Sequence, residues 1–70
     1  MVIVDGHAIL RYQQRIKNLP TPDVLNILTM IAQNNKRVWK GHKWQIRSKG
    51  RLICGYKKRG KDYVKTVMRG

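Results

Sequence analysis

Acidic side chains are scarce in this chain. Its 70 residues include only Asp5, Asp23 and Asp62, against sixteen Lys and Arg residues, which gives a formal net charge of +13 at pH 7. Each aspartate lies at a predicted helix start or turn. No carboxylate pair is therefore available for acid–base catalysis or for a hard metal ion. We expect no metal site and, without a phosphate-binding glycine loop, no cofactor.

The chain contains a single cysteine, Cys54. Cys54 cannot form an internal disulfide, which fits a reducing cytoplasm. The spacing of Cys54, His7 and His42 does not match that of zinc ligands. We therefore expect Cys54 to be a small core residue rather than a nucleophile.

Long apolar runs are absent. No segment approaches the ~18 apolar residues of a membrane span, and the N-terminus does not resemble a secretory signal. There is also no internal repeat and no low-complexity linker. The sequence thus predicts one cytoplasmic domain, residues 1–70, with no membrane partner.

The basic residues are concentrated in the second half. Residues 36–70 hold thirteen of them against one acid, Asp62, a net charge of +12. Like charges at this density repel one another and destabilise the compact state. Phosphate backbones would offset that repulsion, so we expect RNA or the ribosome as partner. An anionic membrane is the weaker alternative, because no basic amphipathic helix is present.

The first half is predicted to be helical after a short strand at Val2–Val4. Asp5 is a suitable N-cap, and the first helix should end before Pro20. Its apolar face consists of Ala8, Ile9, Tyr12, Ile16 and Leu19. A second helix should start with Thr21 as N-cap and Pro22 at the first position, and it should end near Asn34–Asn35. Its apolar face consists of Val24, Leu25, Ile27, Leu28, Ile31 and Ala32.

From Lys36 onward, apolar residues tend to recur at every second position, which is the spacing of a β-strand. The predicted strands are Arg37–Lys40, Lys43–Arg47, Arg51–Lys57 and Tyr63–Met68, with turns at Ser48–Gly50 and Lys58–Lys61. Leu52, Cys54 and Tyr56 share one face of the third strand. This order predicts an α+β fold with a short N-terminal strand and two helices packed on a three- to four-stranded antiparallel meander sheet.

Two groups of residues are candidates for function. His7, Arg11 and Arg15 follow one another at a spacing of four, which places them on one stripe of the first helix. Such a stripe suits phosphate contact, and histidine can transfer protons near neutral pH. The alternative is a solvated basic helix face.

The second group lies in the strands and their turns, where basic and aromatic residues alternate. The candidates for nucleic-acid contact are Arg47, Arg51, Tyr56, Lys57, Lys58, Arg59, Lys61 and Lys65. Basic residues can hold a backbone while aromatic rings stack on unpaired bases. The alternative for the aromatic residues is core packing, which is favoured for Trp44 and left open for Trp39, Tyr56 and Tyr63.

The pattern Asp5-Gly-His7-Ala8-x-x-Arg11-x3-Arg15 resembles the opening helix of small bacterial and phage domains. Those domains end in a strand with a Val-Thr-Val-like element, to which Val64–Val67 is similar, with Thr66 in the matching place. They are grouped with the RelE-like toxins and with the barnase, EndoU, colicin and RelE class of metal-independent ribonucleases. The resemblance covers roughly residues 4 to 68.

The resemblance implies a RelE-like fold and RNA cleavage without metal. His7 would be the base or acid, Arg11, Arg15 and Arg47 would hold the scissile phosphate, and Thr66 would donate a hydrogen bond. Tyr56 lies in a strand that often supplies active-site groups in such folds. An acidic antitoxin would be the protein partner.

Two functions therefore remain open. One is an endoribonuclease toxin that acts on free or ribosome-bound RNA. The other is a non-catalytic phage or mobile-element protein that binds nucleic acid or a host nucleic-acid machine. The very basic second half departs from the pattern of the family and is compatible with either.

Overall fold

The computed structural model describes residues 2 to 69, and within them a sheet is covered by helices on one face. The elements are β1 (Val2–Val4), α1 (Gly6–Arg15), α2 (Thr21–Asn34), β2 (Val38–Lys40), β3 (Lys43–Ser48), β4 (Arg51–Lys58) and β5 (Lys61–Arg69). The strands form one sheet in the order β1-β5-β4-β3-β2. The predicted α+β class is thus confirmed.

The sheet is mixed and has five strands, because the short N-terminal strand joins the four later strands at one edge. Strands β2 to β5 pair antiparallel in chain order. Strand β1 pairs parallel with β5, from Val2 opposite Asp62 to Val4 opposite Val64. A three-residue strand carries no local signal for its partner. The position beside β5 lets Val2 and Val4 pack against the core.

Helix α1 begins as predicted and ends earlier. The Asp5 side chain accepts a hydrogen bond of 2.9 Å from the backbone N–H of His7, which confirms the N-cap. The helix ends at Arg15, because the N–H groups of Ile16 and Lys17 both donate to the Tyr12 carbonyl and close its last turn. Leu19 still packs against the core, although it does so from the connection to α2.

Helix α2 starts one residue earlier than predicted. Pro20 is the N-cap, and no side chain caps the helix, so Thr21 is its first residue instead of its cap. The Thr21 hydroxyl lies 3.4 Å from the amide nitrogen of Gln13, which joins the two helices. Leu25 was predicted on the apolar face but is 41% exposed.

The core lies between the helices and one face of the sheet. The buried apolar residues are Ala8, Tyr12, Val24, Leu28, Ile31, Ala32, Trp44, Ile46, Ile53, Val64 and Val67. Trp44, at 1% exposure, is the largest fully buried side chain, which confirms its predicted place in the core. Burial of such a ring removes about 150–250 Å² from water.

The face of strand β4 that packs against the core is not the one expected from the sequence. Ile53 and Gly55 face the helices, and a Cβ on Gly55 would overlap the Trp44 ring and the Tyr63 carbonyl. Leu52, Cys54 and Tyr56 therefore lie on the side away from the helices, here called the open face. The prediction that Cys54 belongs to the core is wrong, since it is only half-buried there.

Arg37 closes the core at the β2 side. Its guanidinium donates to the Ala32 carbonyl at the end of α2 and forms a 2.9 Å ion pair with Asp62. It also lies 4.7 Å from the centre of the Trp44 ring, a distance typical of cation–π contacts. One side chain thus joins α2, β5 and the indole.

Two-residue turns join the long strands. Lys49 and Gly50 have φ values of 50° and 76°, and Arg59 and Gly60 have values of 52° and 75°. Positive φ at both positions matches the twist of the flanking strands, as in type I′ turns. Both predicted turns are confirmed.

Replacement of Gly55 by Ala should lower the stability of the fold. The added methyl group would collide with backbone and with a packed ring, and such overpacking costs about 1–3 kcal/mol. Chemical denaturation should show this loss. Gly6→Ala is the matched control, because a Cβ there meets nothing within 4 Å. Equal stability of the two variants would contradict the proposed role of the Trp44–Gly55 contact.

Candidate nucleic-acid interface

Strand β5 contains an irregularity that shapes the candidate site. Thr66 pairs with Cys54 and Val64 pairs with Gly55, so Lys65 is an extra residue between them. Such a β-bulge bends its strand and re-aims the neighbouring side chains. Lys65 is exposed and Thr66 is half-buried. We call these two residues the bulge.

A depression of about 320 Å³ lies on the α1 side of the bulge, and we call it the helix-edge depression. It is lined by Asp5, His7, Arg11, Lys65 and Thr66. The Asp5 N–H donates to the Val64 carbonyl at 2.9 Å, and this bond fixes the start of α1 beside β5. The structure thus brings together three residues of the predicted catalytic set, His7, Arg11 and Thr66.

Arg15 is placed differently from Arg11, although both share the predicted stripe. Its guanidinium donates to the Val67 carbonyl at 3.2 Å, so it joins α1 to β5. Arg69 donates in turn to the Arg15 carbonyl. Arg15 does not line the helix-edge depression. The Arg11 guanidinium donates to the Gln14 side chain at 3.1 Å on the exposed helix surface.

His7 has the geometry of an accessible proton-transfer group. It is exposed in the first turn of α1, and among residues 2–69 none of the hydrogen bonds uses its imidazole. The nearby Asp5 carboxylate accepts from the His7 backbone N–H instead. The imidazole is therefore accessible at the depression that Arg11 and Lys65 also line.

A second pocket lies on the open face, on the other side of the bulge. Its volume is about 360 Å³, and we call it the open-face pocket. It is lined by His42, Lys43, Trp44, Gln45, Cys54, Gly55, Tyr56, Lys65 and Thr66. Because Lys65 and Thr66 line both concavities, the two are adjacent.

The aromatic residues divide between the two faces of the sheet. Tyr56 and Tyr63 lie opposite each other on the open face, with ring centres 5.0 Å apart and planes within 11°. Trp39 is paired with Trp44, so it lies on the helix side of the edge strand, where it is 47% exposed. Stacked tyrosines therefore belong to the open face, and Trp39 does not.

Apart from Lys65 in the bulge, the predicted basic residues of the strands and turns occupy three places. Four exposed ones surround the β4–β5 turn, namely Lys57, Lys58, Arg59 and Lys61. Arg47 is exposed on β3, opposite Leu52 and two strands from β5, so it is not part of the helix-edge depression. Arg51 is engaged on the helix side, where it donates to the Ser48 carbonyl and the Tyr12 hydroxyl.

Several pocket residues were not predicted from the sequence. Gln45 alternates with the buried Trp44 and Ile46, and this alternation was the available signal that it faces away from the core. His42 enters the pocket from the turn between β2 and β3, and nothing in the local sequence indicated that its side chain would line a pocket.

Between residues 2 and 69 the structure contains no cluster of three His, Cys, Asp or Glu side chains that could hold a metal ion. Over the same residues, neither helix has the length and apolar character needed to cross a membrane.

Cys54 should react slowly with alkylating reagents. Burial raises the pKa of its thiol above the ordinary value, and Lys65 offsets part of that rise. A higher pKa leaves less thiolate at pH 8, and the thiolate is the reactive form. Iodoacetamide should therefore modify the folded protein more slowly than the protein in guanidinium, and the rate should increase at higher pH. Equal rates in the two states at pH 8 would contradict this prediction.

No known protein-family model matches this chain, and neither the curated proteins nor the solved structures include a significant match. The resemblance to RelE-like domains therefore rests on the short helix and last-strand motifs.

Proposed function

We propose that this chain is an RNA-contacting domain that holds phosphate groups at the helix-edge depression. The observation that supports this function best is the convergence of Arg11, Lys65, Thr66 and His7, which come from opposite ends of the chain. Two cations, a hydroxyl and an imidazole can together bind a phosphodiester through charge-assisted hydrogen bonds.

The charge balance supports the same function. Asp5 caps α1, Asp23 lies in the first turn of α2, and Asp62 pairs with Arg37. Each acid thus has a place within the fold. Asp62 lies opposite Lys57 beside the β4–β5 turn, but its carboxylate pairs with Arg37. The Asp5 carboxylate does line the helix-edge depression, but it already accepts the His7 N–H. A polyanion would relieve the remaining repulsion.

RNA, free or in the ribosome, is the partner in the cytoplasm, with no membrane involved. An acidic antitoxin or a host protein would compete for the same basic surface. The RelE-like assignment belongs to this proposal and is supported by the helix motif together with the β1-α1-α2-β2-β3-β4-β5 order of elements.

Metal-independent RNA cleavage is the second candidate function. It is favoured by the meeting of His7, Arg11 and Thr66 at one depression, as the resemblance implied. In this reaction the 2′-oxygen attacks the adjacent phosphorus and the bond to the 5′-oxygen breaks. His7 takes the proton of the 2′-hydroxyl, the leaving 5′-oxygen gains one from water, and the cations stabilise the phosphorane. The products are a 2′,3′-cyclic phosphate and a 5′-hydroxyl.

A non-catalytic role remains the alternative, and it requires only the phosphate contacts. Arg15 and Arg47, two of the predicted phosphate ligands, do not line the helix-edge depression. A protein that seizes nucleic acid or a host nucleic-acid machine needs the basic surface and not a complete set of catalytic groups. Binding and cleavage are therefore tested separately.

Binding to RNA should be strong at low salt and should weaken steeply as salt is added. For a single strand, the slope of log K against log salt is about −0.7 per phosphate neutralised. Arg11→Gln should weaken binding. It should also make the slope shallower by about 0.7, which corresponds to the loss of one phosphate contact. Fluorescence anisotropy between about 50 and 200 mM salt measures both quantities.

Lys17→Gln is the matched control, because it removes one exposed cation from the connection after α1 and lies outside the depression. It should change binding much less than Arg11→Gln. Equal effects of the two variants would argue for diffuse charge attraction, and binding that ignores salt would exclude the proposed function.

If the chain cleaves RNA, His7→Ala should abolish cutting while it leaves the affinity within a few-fold. Removal of a general base typically costs about 10²–10⁴ in rate. The measurement is incubation with total RNA in EDTA and, separately, with translating ribosomes in a magnesium buffer, followed by mapping of cut ends and analysis for cyclic phosphate. If the folded wild-type protein leaves the RNA intact, cleavage of these substrates is excluded and only the binding role remains.

A further inference from the structure

The open-face pocket offers a second contact region beside the proposed phosphate site. It lies directly across the bulge from the helix-edge depression, with Lys65 and Thr66 in the wall of both. A ligand whose anionic part is held at the depression would therefore have its adjoining part over the open face. At about 360 Å³ the pocket falls within the range of about 300–1,000 Å³ that is usual for small ligand groups.

The wall of the pocket includes an ordered aromatic ring. Tyr56 is stacked on Tyr63, which holds its ring in place before any ligand arrives. A fixed ring loses little conformational freedom on binding, so it suits stacking with a planar group. Stacking of a base on an aromatic side chain is a general way of holding unpaired nucleotides.

Polar groups in the same wall suit the edge of a base. Gln45 is exposed, and its side-chain amide can both donate and accept hydrogen bonds. The Thr66 hydroxyl offers a further donor and acceptor beside Cys54. These groups complement the mixed donors and acceptors of a nucleobase better than they would a purely apolar ligand.

The charge around the open-face pocket is positive. Lys43 and Lys65 lie on opposite sides of it, on β3 and β5, and none of its lining residues is acidic. The exposed cations of the β4–β5 turn continue from the Tyr56 end of the sheet. A chain of phosphates could therefore pass along this face on either side of a bound base.

We propose that the open-face pocket binds one unpaired base of single-stranded RNA, whose neighbouring phosphate is held across the bulge by Lys65 and Arg11. This inference rests on the proposed RNA contact and adds the class of RNA and the way in which it is held. A paired base is stacked inside a helix and cannot offer its face to Tyr56. The site therefore selects single strands through the pocket, while the depression supplies binding that does not depend on sequence.

The test compares two single strands of equal charge. An eight-residue 2′-O-methyl uridine strand carries bases and resists cleavage by its 2′-oxygen, and its control has the same backbone with every residue abasic. Because stacking contributes about 1–3 kcal/mol per base, the strand with bases should bind about five- to 150-fold more tightly. Tyr56→Ala should remove most of that difference and Tyr56→Phe should retain it, while Trp39→Ala should leave it unchanged.

A second measurement uses the wild-type protein and needs no variant. Cys54 lines the open-face pocket, so a base seated there should slow its alkylation by iodoacetamide. At saturating concentrations the strand with bases should protect Cys54, whereas the abasic strand and an RNA duplex should not.

The outcomes separate the two proposals. Equal affinity for the two strands, or equal protection of Cys54 by duplex and single strand, would overturn the base pocket and leave the phosphate contact intact. Failure of every strand to bind at low salt would overturn the RNA contact itself. Preference for the strand with bases together with selective protection of Cys54 would establish the pocket.

Discussion

The contact between Trp44 and Gly55 is the constraint on which the rest of this small fold depends. The indole lies over a strand residue without a side chain, because any Cβ there would overlap it. Arg37 lies over the same indole ring and is held by Asp62 and by the end of α2. This arrangement fixes which face of β4 turns towards the helices. Because both helices found in residues 2–69 lie on that side, the described part of the chain leaves the opposite face uncovered, and its side chains form the candidate interface.

Much of the fold could be predicted because its signals are local. The helical spacing of Ala8 and Tyr12 and the turn at Lys49–Gly50 each depend on neighbouring residues alone. The orientation of β4 could not be predicted in this way, since apolar residues occupy both faces of that strand. It is decided by Trp44, which lies on another strand. The partner of β1 is likewise set by long-range packing, which three residues do not encode.

The candidate site could be predicted in part for the same reason. His7 and Arg11 share a helix stripe by spacing alone, and the last-strand motif added Thr66, so their meeting is consistent with the sequence pattern. Arg15 follows the same spacing, but at its position the helix runs close enough to β5 for the guanidinium to donate to a backbone carbonyl. The bulge at Lys65 had no sequence signal, because it arises from the register between β4 and β5.

The shortness of β1 has a consequence for the behaviour of the chain in solution. Beyond Val64, none of the strands in residues 2–69 lies on the outer side of β5, and a bare edge of this kind invites pairing with another molecule. Here α1 runs along that edge, the Arg15 guanidinium occupies the Val67 carbonyl, and an exposed lysine interrupts the regular ladder. Helical cover, bulges and lysines are the usual protections of an edge strand against aggregation. Helix α1 and Lys65 thus have two roles, because they contribute to the candidate RNA site and also guard the sheet against growth by strand addition.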